Sequence, residues 1–251
     1  MIDPTKRFTN RVENYLKFRP RYPREILPLL ESECGLTPAA VVADIGSGTG
    51  FLTELFLQHG NQVFGVEPNA EMRSAGERLL EKYDSFTSVD GTAEATRLPG
   101  NAIDLIAVGQ AFHWFDQAAA KVEFQRILTP AGWVMLVWNG FSIETSAVVR
   151  GYHELLLKFG TDYRKVSSEI DMCDIDSFFS PKQYRRARFP YRQTFDFEGF
   201  KGRLLSASYA PQPNEPNYPE MIAELQGIFE ANEKDGKVDF DYETAIYYGQ
   251  L

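Results

Sequence analysis

Three glycines at alternate positions, Gly46, Gly48 and Gly50, follow directly on an apolar run that ends in an acid, Val41-Val42-Ala43-Asp44-Ile45. Glycine at this spacing allows backbone angles that a Cβ forbids, and it lets a ligand approach the main chain. Phe51-Leu52-Thr53-Glu54-Leu55-Phe56-Leu57 then resumes with helical spacing. The stretch reads as a strand, a tight turn and a helix N-terminus, which is where open α/β sheets bind nucleoside ligands. The dinucleotide fingerprint is G-x-G-x-x-G, with a pyrophosphate at the helix N-terminus. Here the third glycine comes one residue early. Asp44 at the strand end also suits a ligand that brings an ammonium or sulfonium group better than one that brings a pyrophosphate. Capping of the loop N–H groups is a second role for Asp44, compatible with the first.

A second acid stands at the tip of the next apolar run, Gln62-Val63-Phe64-Gly65-Val66-Glu67. About 20 residues beyond a glycine loop is where a carboxylate accepts hydrogen bonds from ribose hydroxyls. Loop and acid together point to an adenosine-containing ligand.

Val42 to Gly50, followed by Val66-Glu67-Pro68-Asn69-Ala70-Glu71-Met72, resembles the first two motifs of class I S-adenosylmethionine-dependent methyltransferases. Gly91-Thr92-Ala93-Glu94 and Gln110-Ala111-Phe112-His113-Trp114-Phe115 resemble the branch that includes trans-aconitate methyltransferase-like proteins. The similarity covers residues 8 to 140 well and the rest loosely. It implies a Rossmann-like three-layer α/β/α sandwich whose seven-stranded sheet is mostly parallel, with the last strand antiparallel, and a helical substrate cover. It implies S-adenosylmethionine as cofactor, leaving as S-adenosylhomocysteine. The implied cofactor contacts are Tyr15, Arg19, Asp44, Gly46, Ser47, Gly48, Gly50, Glu67, Pro68, Met72, Thr92, Ala93, Glu94, Gln110 and Ala111. Arg19 matches the position that partners the methionine carboxylate, for which a guanidinium fork is well shaped. The family commonly has an acid where Thr92 stands, contacting the adenine amino group; here the Ala93 amide or the Glu94 side chain would replace it.

The whole chain agrees with a globular enzyme. Its 251 residues suffice for one large α/β domain, 43% hydrophobic and 24% charged. A net charge of −9 argues against nucleic acid and anionic membrane surfaces as partners. Arg185-Arg186-Ala187-Arg188 reads as a solvated strand face. Cys34 and Cys173 make neither a metal spacing nor a disulfide framework, so no metal and a reducing, cytoplasmic setting are expected. Met1 to Arg7 has no apolar core of the kind a signal peptide carries, and the sequence contains no 18-residue apolar run, so a soluble protein is expected. A single domain is expected, monomeric or homodimeric: residues 8–35 as cofactor-covering helices, 36–140 as the binding core, and 141–251 as closing strands with an inserted cover.

The elements that must position these residues follow from local signals. Phe8 to Phe18 suits a short helix, stopped by Pro20 and Pro23. A second helix runs from about Arg24 to Cys34 and ends at Gly35. Asn69 is a candidate N-cap for a helix reaching about Lys82. Phe86 to Val89 reads as the edge strand and Ile103 to Val108 as a central one. The spacing of Ala120, Phe124, Ile127 and Leu128 predicts a helix from Gln117, and a fifth strand follows over Trp133 to Trp138. Val148 to Phe159 reads as a helix, residues 161 to 183 as irregular, and Tyr184 to Thr194 as a strand with Pro190 at an edge or bulge. Asp196 caps a helix carrying Phe200, Leu204 and Ala207. Met221 to Ala231 and Val238 to Tyr248 complete the chain as helix and strand.

Methyl transfer from a sulfonium needs mainly alignment and exclusion of water, because the leaving group departs neutral. His113 is the candidate base for an acceptor hydroxyl, with a hydrogen-bonded wall position as its alternative. Trp114 and Phe115 are candidate pocket walls able to stabilise a cation. Arg203, Ser206, Ser208 and Tyr209 are candidates to face a small-molecule acceptor, Arg203 as partner of a carboxylate. Two other functions remain open on these residues: a non-catalytic binder of S-adenosylmethionine or S-adenosylhomocysteine, and an NAD(P)-dependent oxidoreductase.

Overall fold

A computed structural model describes residues 12–141, 143–144, 146–164 and 174–251. The expected helix from Phe8 is therefore seen from Val12 onward, and Cys173 lies outside the described residues.

Seven strands form one sheet: β1 Val41–Ile45, β2 Gln62–Val66, β3 Phe86–Val89, β4 Ile103–Gly109, β5 Leu128–Phe141, β6 Tyr184–Phe195 and β7 Val238–Gly249, in the order β3-β2-β1-β4-β5-β7-β6. β1 to β5 pair in parallel, while β7 runs antiparallel to both β5 and β6. The chain builds outward from β1 through β2 to β3, then returns to place β4 on the other side of β1. That reversal opens a crevice at the C-terminal tips of β1 and β4.

Alternation along the central strands makes the layers. Val42, Leu105 and Ala107 face a core completed by Ile26 and Leu30 of α2 (Ile26–Cys34) and by Leu52 and Phe56 of α3 (Phe51–His59). Ala43, Ile45, Ile106 and Val108 face the opposite core, with Phe124 and Ile127 of α5 (Gln117–Ile127). Side chains of successive strand residues point to opposite faces, so one apolar run feeds both layers. α4 (Ala70–Leu80) begins at Asn69, whose side chain accepts from the Glu71 and Met72 amides. Pro28 falls in the first turn of α2, where its missing N–H costs nothing, and Gly35 ends the helix in the left-handed region.

The cover has a core of its own. α6 (Ala147–Phe159), α8 (Phe197–Leu205) and α9 (Tyr218–Asn232) gather Tyr152, Leu155, Phe200, Leu204, Met221 and Leu225 around Phe240 and Tyr242 of β7. α1 (Val12–Phe18) bridges the two halves. A Cβ at Gly202 of α8 would collide with the Phe18 ring, so glycine there lets α1 lie close against the cover.

Two boundaries differ from expectation. Within the stretch expected to be irregular, Asp174 caps a five-residue helix, α7 (Ile175–Phe179), through the Ser177 amide, because Phe178 and Phe179 are drawn into the sheet's core. β5 starts at Leu128, ahead of Pro130, and pairs with Ile103 across a register shift. β6 is an edge strand, which accommodates Pro190. Its arginines meet solvent and acids, Arg188 with Glu243 at 3.1 Å and Arg192 with Asp241 at 2.5 Å. Among the described residues no helix is long and apolar enough to cross a membrane.

Candidate active site

A cavity of about 550 Å³ opens at the crevice over β1 and β4 and continues under the cover. Its floor is the β1–α3 turn. Gly46 and Ser47 both donate backbone N–H bonds to the Val66 carbonyl, at 2.8 and 3.1 Å, tying the turn to the tip of β2. Gly46 sits at φ 72°, and a Cβ there would lie 2.6 Å from the Ala111 Cβ. Both the backbone angle and the space exclude a side chain.

Two carboxylates flank this turn. Asp44 is buried, accepts from the Thr53 hydroxyl at 2.6 Å through Oδ2, and leaves Oδ1 without a partner. Burial pushes its carboxyl up to about 7, opposed by the Thr53 bond and reinforced by the neighbouring Glu67. A buried acid with one idle oxygen on a cavity wall is suited to a ligand cation, which would return it to the ionised form. Glu67 accepts from the Gly48 amide at 2.9 Å and the Asn69 amide at 2.8 Å, and burial raises its pKa as well. Each of its oxygens has a second lone pair for a hydroxyl.

Every residue expected to hold the cofactor lines this cavity except Gly50. Gly50 lies behind the turn at φ 84°, where a Cβ would meet Leu80 of α4 at 2.6 Å. Its place in the pattern is explained by packing of the helix start rather than by ligand contact. Thr92 and Ala95 exchange backbone hydrogen bonds, forming the small loop that presents Thr92, Ala93 and Glu94 to the cavity. Glu94 already accepts from the Asp116 amide at 2.9 Å, which holds the loop against the start of α5.

Gln110 takes φ 58° immediately after β4, turning the chain into a single helical turn, Phe112–Trp114. His113 and Trp114 thereby line the cavity, their rings 4.5 Å apart. From the other side Arg19 donates to the Ser206 carbonyl at 3.2 Å and lies over the Tyr15 ring at 5.3 Å, with Nε buried and unpartnered. Arg203, Ser208 and Tyr209 also reach the cavity, whereas Ser206 does so neither by lining it nor by its hydroxyl, which bonds the Arg203 carbonyl.

Sequence reasoning missed Asn139, Phe141, His153 and Tyr163, all on the wall. Asn139 lies in β5 just beyond its last parallel pair with β4, at the sheet's chemical edge, a signal that was available; its side chain accepts from Thr244 at 2.6 Å and its carbonyl accepts from Gln110. His153 and Tyr163 share a 2.7 Å hydrogen bond, and burial holds the imidazole below its ordinary value. No local pattern marks that pair.

A mostly parallel sheet with a switch point, a glycine turn and two acids at adjacent strand tips define a class I nucleoside-binding fold of the methyltransferase type. Residues 43–136 match the methyltransferase domain family. A methyltransferase-like protein of Schizosaccharomyces pombe is 31% identical over 227 residues, which is 89% of this chain and 86% of that one. An uncharacterized methyltransferase of Mycobacterium tuberculosis is 37% identical over 139 residues, 55% of this chain. That match spans about half of the mycobacterial protein, 54% of its length. Among solved structures, a methyltransferase described as putative type II from Anaeromyxobacter dehalogenans superposes with a TM-score of 0.68 at 23% identity, over 93% of this chain and 98% of that one. The chain belongs to the class I S-adenosylmethionine-dependent methyltransferases.

Proposed function

We propose that the protein transfers the methyl group of S-adenosylmethionine to a small molecule held under its cover. The observation that carries this reading is the pair of buried acids, Asp44 and Glu67, flanking the glycine turn on a cavity that extends beyond them into the cover. Glu67 would accept from ribose hydroxyls and Arg19 would take the methionine carboxylate. The idle Asp44 oxygen would face the ligand's positive charge. When bound, the sulfonium supplies an activated methyl carbon and a neutral leaving group. The protein's share is alignment and dryness. Trp114 and Phe141 wall the acceptor side, and the cover excludes water. His113, on the same wall, would serve as the base for an acceptor hydroxyl, and the His153–Tyr163 pair borders the same cavity.

Thermal unfolding with S-adenosylmethionine, S-adenosylhomocysteine and NAD tests the reading. A ligand at 100 times its dissociation constant adds about 2.7 kcal/mol of stability. Stabilisation by the first two and not by NAD is expected; the reverse would remove the methyltransferase account. His113→Asn is expected to lower turnover and leave cofactor affinity intact, and unchanged turnover would exclude His113 as the base.

A further inference from the structure

The cover end of the cavity holds a hydrogen-bonded pair that the cofactor contacts do not use. His153 on α6 and Tyr163, just past the end of that helix, meet at 2.7 Å between Nδ1 and the hydroxyl, and both line the cavity. Three features place the pair. Gly160 ends α6 where a Cβ would lie 2.8 Å from the Tyr163 Cβ, so the chain can fold back onto its own helix. The Thr161 amide donates to the Tyr209 carbonyl at 2.9 Å, tying that return to the segment after α8. The Tyr163 ring then stands 4.8 Å from the Tyr209 ring and 5.5 Å from the His153 ring.

With Nδ1 given to Tyr163, Nε2 is the ring nitrogen left for a ligand. The shared bond sets its character: a donating Tyr163 hydroxyl leaves Nε2–H a donor, and a donating Nδ1–H leaves Nε2 an acceptor. Burial holds the imidazole below its ordinary value, with Glu154 opposing, so the ring is uncharged at pH 7. An uncharged group that can take either role suits a hydroxyl, which is itself both donor and acceptor. The walls around it are rings, with Trp114 and Phe141 lining the cavity alongside Tyr163 and Tyr209. Apolar walls of this kind with few polar groups favour a flat aromatic ligand. The acids on the wall, Asp44, Glu67 and Glu94, belong to the tips of β1 and β2 and the loop after β3. Among the described residues the cover end therefore offers no carboxylate to a cationic acceptor. Arg203 also reaches this end, its Nε donating to the Tyr242 hydroxyl at 2.8 Å, so an acid is the control that separates the two groups.

We infer that His153, oriented by Tyr163, is the hydrogen-bonding anchor for a hydroxyl on an uncharged aromatic methyl acceptor, an inference that rests on the methyl-transfer reading above. His153 binds the acceptor, and removal of the reacting proton stays with His113 on the β4 side. An acceptor with its ring between the walls and one hydroxyl on Nε2 is fixed in orientation, which decides the second group that faces the methyl carbon.

The probes are catechol, resorcinol and hydroquinone, with phenol and benzoate as controls, titrated by calorimetry into protein saturated with S-adenosylhomocysteine. At least one diphenol is expected to bind roughly tenfold tighter than phenol, about what one hydrogen bond contributes. Tyr163→Phe keeps the ring packing and releases Nδ1, and His153→Phe removes both nitrogens. Each is expected to bring the diphenol-to-phenol ratio towards one, with S-adenosylhomocysteine affinity within about twofold of wild type. The double variant should lose no more than His153→Phe alone, because Tyr163 acts through that ring. A merely structural pair would leave the ratio unchanged in both variants, and that result overturns the inference. If His153→Phe does not fold, Tyr163→Phe and the wild-type ratio decide. Diphenols and phenol binding alike, or no probe binding, also overturns it. So does benzoate binding more tightly than every diphenol, which would move acceptor recognition to Arg203. Failure of wild-type protein to bind S-adenosylhomocysteine would instead strike the methyl-transfer reading itself.

Discussion

The two ends of the cavity are made of different materials. At the β1–β2 end the ligand-facing groups are backbone amides and two carboxylates, all from residues 44–72, and most are already engaged by neighbours in the same turn. At the cover end they are side chains from β5, α6 and α8 and from the segments that follow α6 and α8, with ring packing behind them, Tyr152–Phe240 at 5.0 Å and Phe240–Tyr242 at 4.9 Å. One end is contiguous in sequence and needs little more than the strand–turn–helix unit. The other exists only after the cover has folded. The difference teaches that the turn end can be fixed by local geometry, while the cover end is set by which distant side chains the cover brings together.

Gly46→Ala attacks the first end where it has least slack. A left-handed residue with a Cβ costs about 1–2 kcal/mol, and overlap with Ala111 adds about 1–3 kcal/mol. Titration calorimetry is expected to show S-adenosylhomocysteine binding weakened by roughly 100-fold. A variant that binds as wild type would mean that the turn is not the cofactor floor.

Asp44→Asn is expected to be milder and pH-dependent. Burial raises the folded-state pKa to about 7, above the ordinary carboxylate value of 3.8, so the folded protein holds the extra proton between those values. Stability of the unliganded protein therefore falls as pH rises from about 4 to about 7 and is level above, a loss on the order of 4 kcal/mol. Binding of the cationic cofactor works the other way, tightening as Asp44 ionises. Wild-type affinity for S-adenosylmethionine should rise through pH 7. In Asp44→Asn that slope should vanish and affinity at pH 8 drop by about tenfold or more, the worth of one charge-assisted bond. A larger loss for S-adenosylmethionine than for S-adenosylhomocysteine would assign Asp44 to the sulfonium, and equal losses to the ammonium.

The same contrast explains what the sequence made legible. The edge place of β3, the central place of β4 and the antiparallel β7 follow from strand pattern and family resemblance, and the positions of Asp44, Glu67 and the glycine turn from residues that are local in sequence. Gly50 fits the motif yet serves Leu80, since spacing alone does not separate a glycine that clears a ligand from one that clears a helix. α7 escaped because five residues give no period to read, and its formation depends on Phe178 reaching Phe112 and Phe124 in the core on one face of the sheet. His153 and Tyr163 meet across a helix end. Arg203 was legible as a candidate, but its cage is formed by residues 141, 152, 240 and 242, which no local pattern joins.

Tyr242→Phe asks whether the two ends are energetically separate. The hydroxyl accepts from Arg203 and donates to Gln193, so its removal strands a buried charged donor while keeping the ring and the packing. Leaving such a donor without an acceptor costs about 1–3 kcal/mol, read as a lower denaturant midpoint with an unchanged slope. S-adenosylhomocysteine affinity should stay within about twofold, because Tyr242 lies in the cover's core and makes no bond to the β1–β2 turn; sites without shared partners add independently. If cofactor affinity instead fell alongside stability, the Arg203 cage would be coupled to the cofactor end. The route for such coupling is short: Arg203 and Ser206 are one turn apart on the α8 segment, and the Ser206 carbonyl accepts from Arg19. Equal cofactor affinity with lowered stability keeps the turn and the cage as two independent halves of one site.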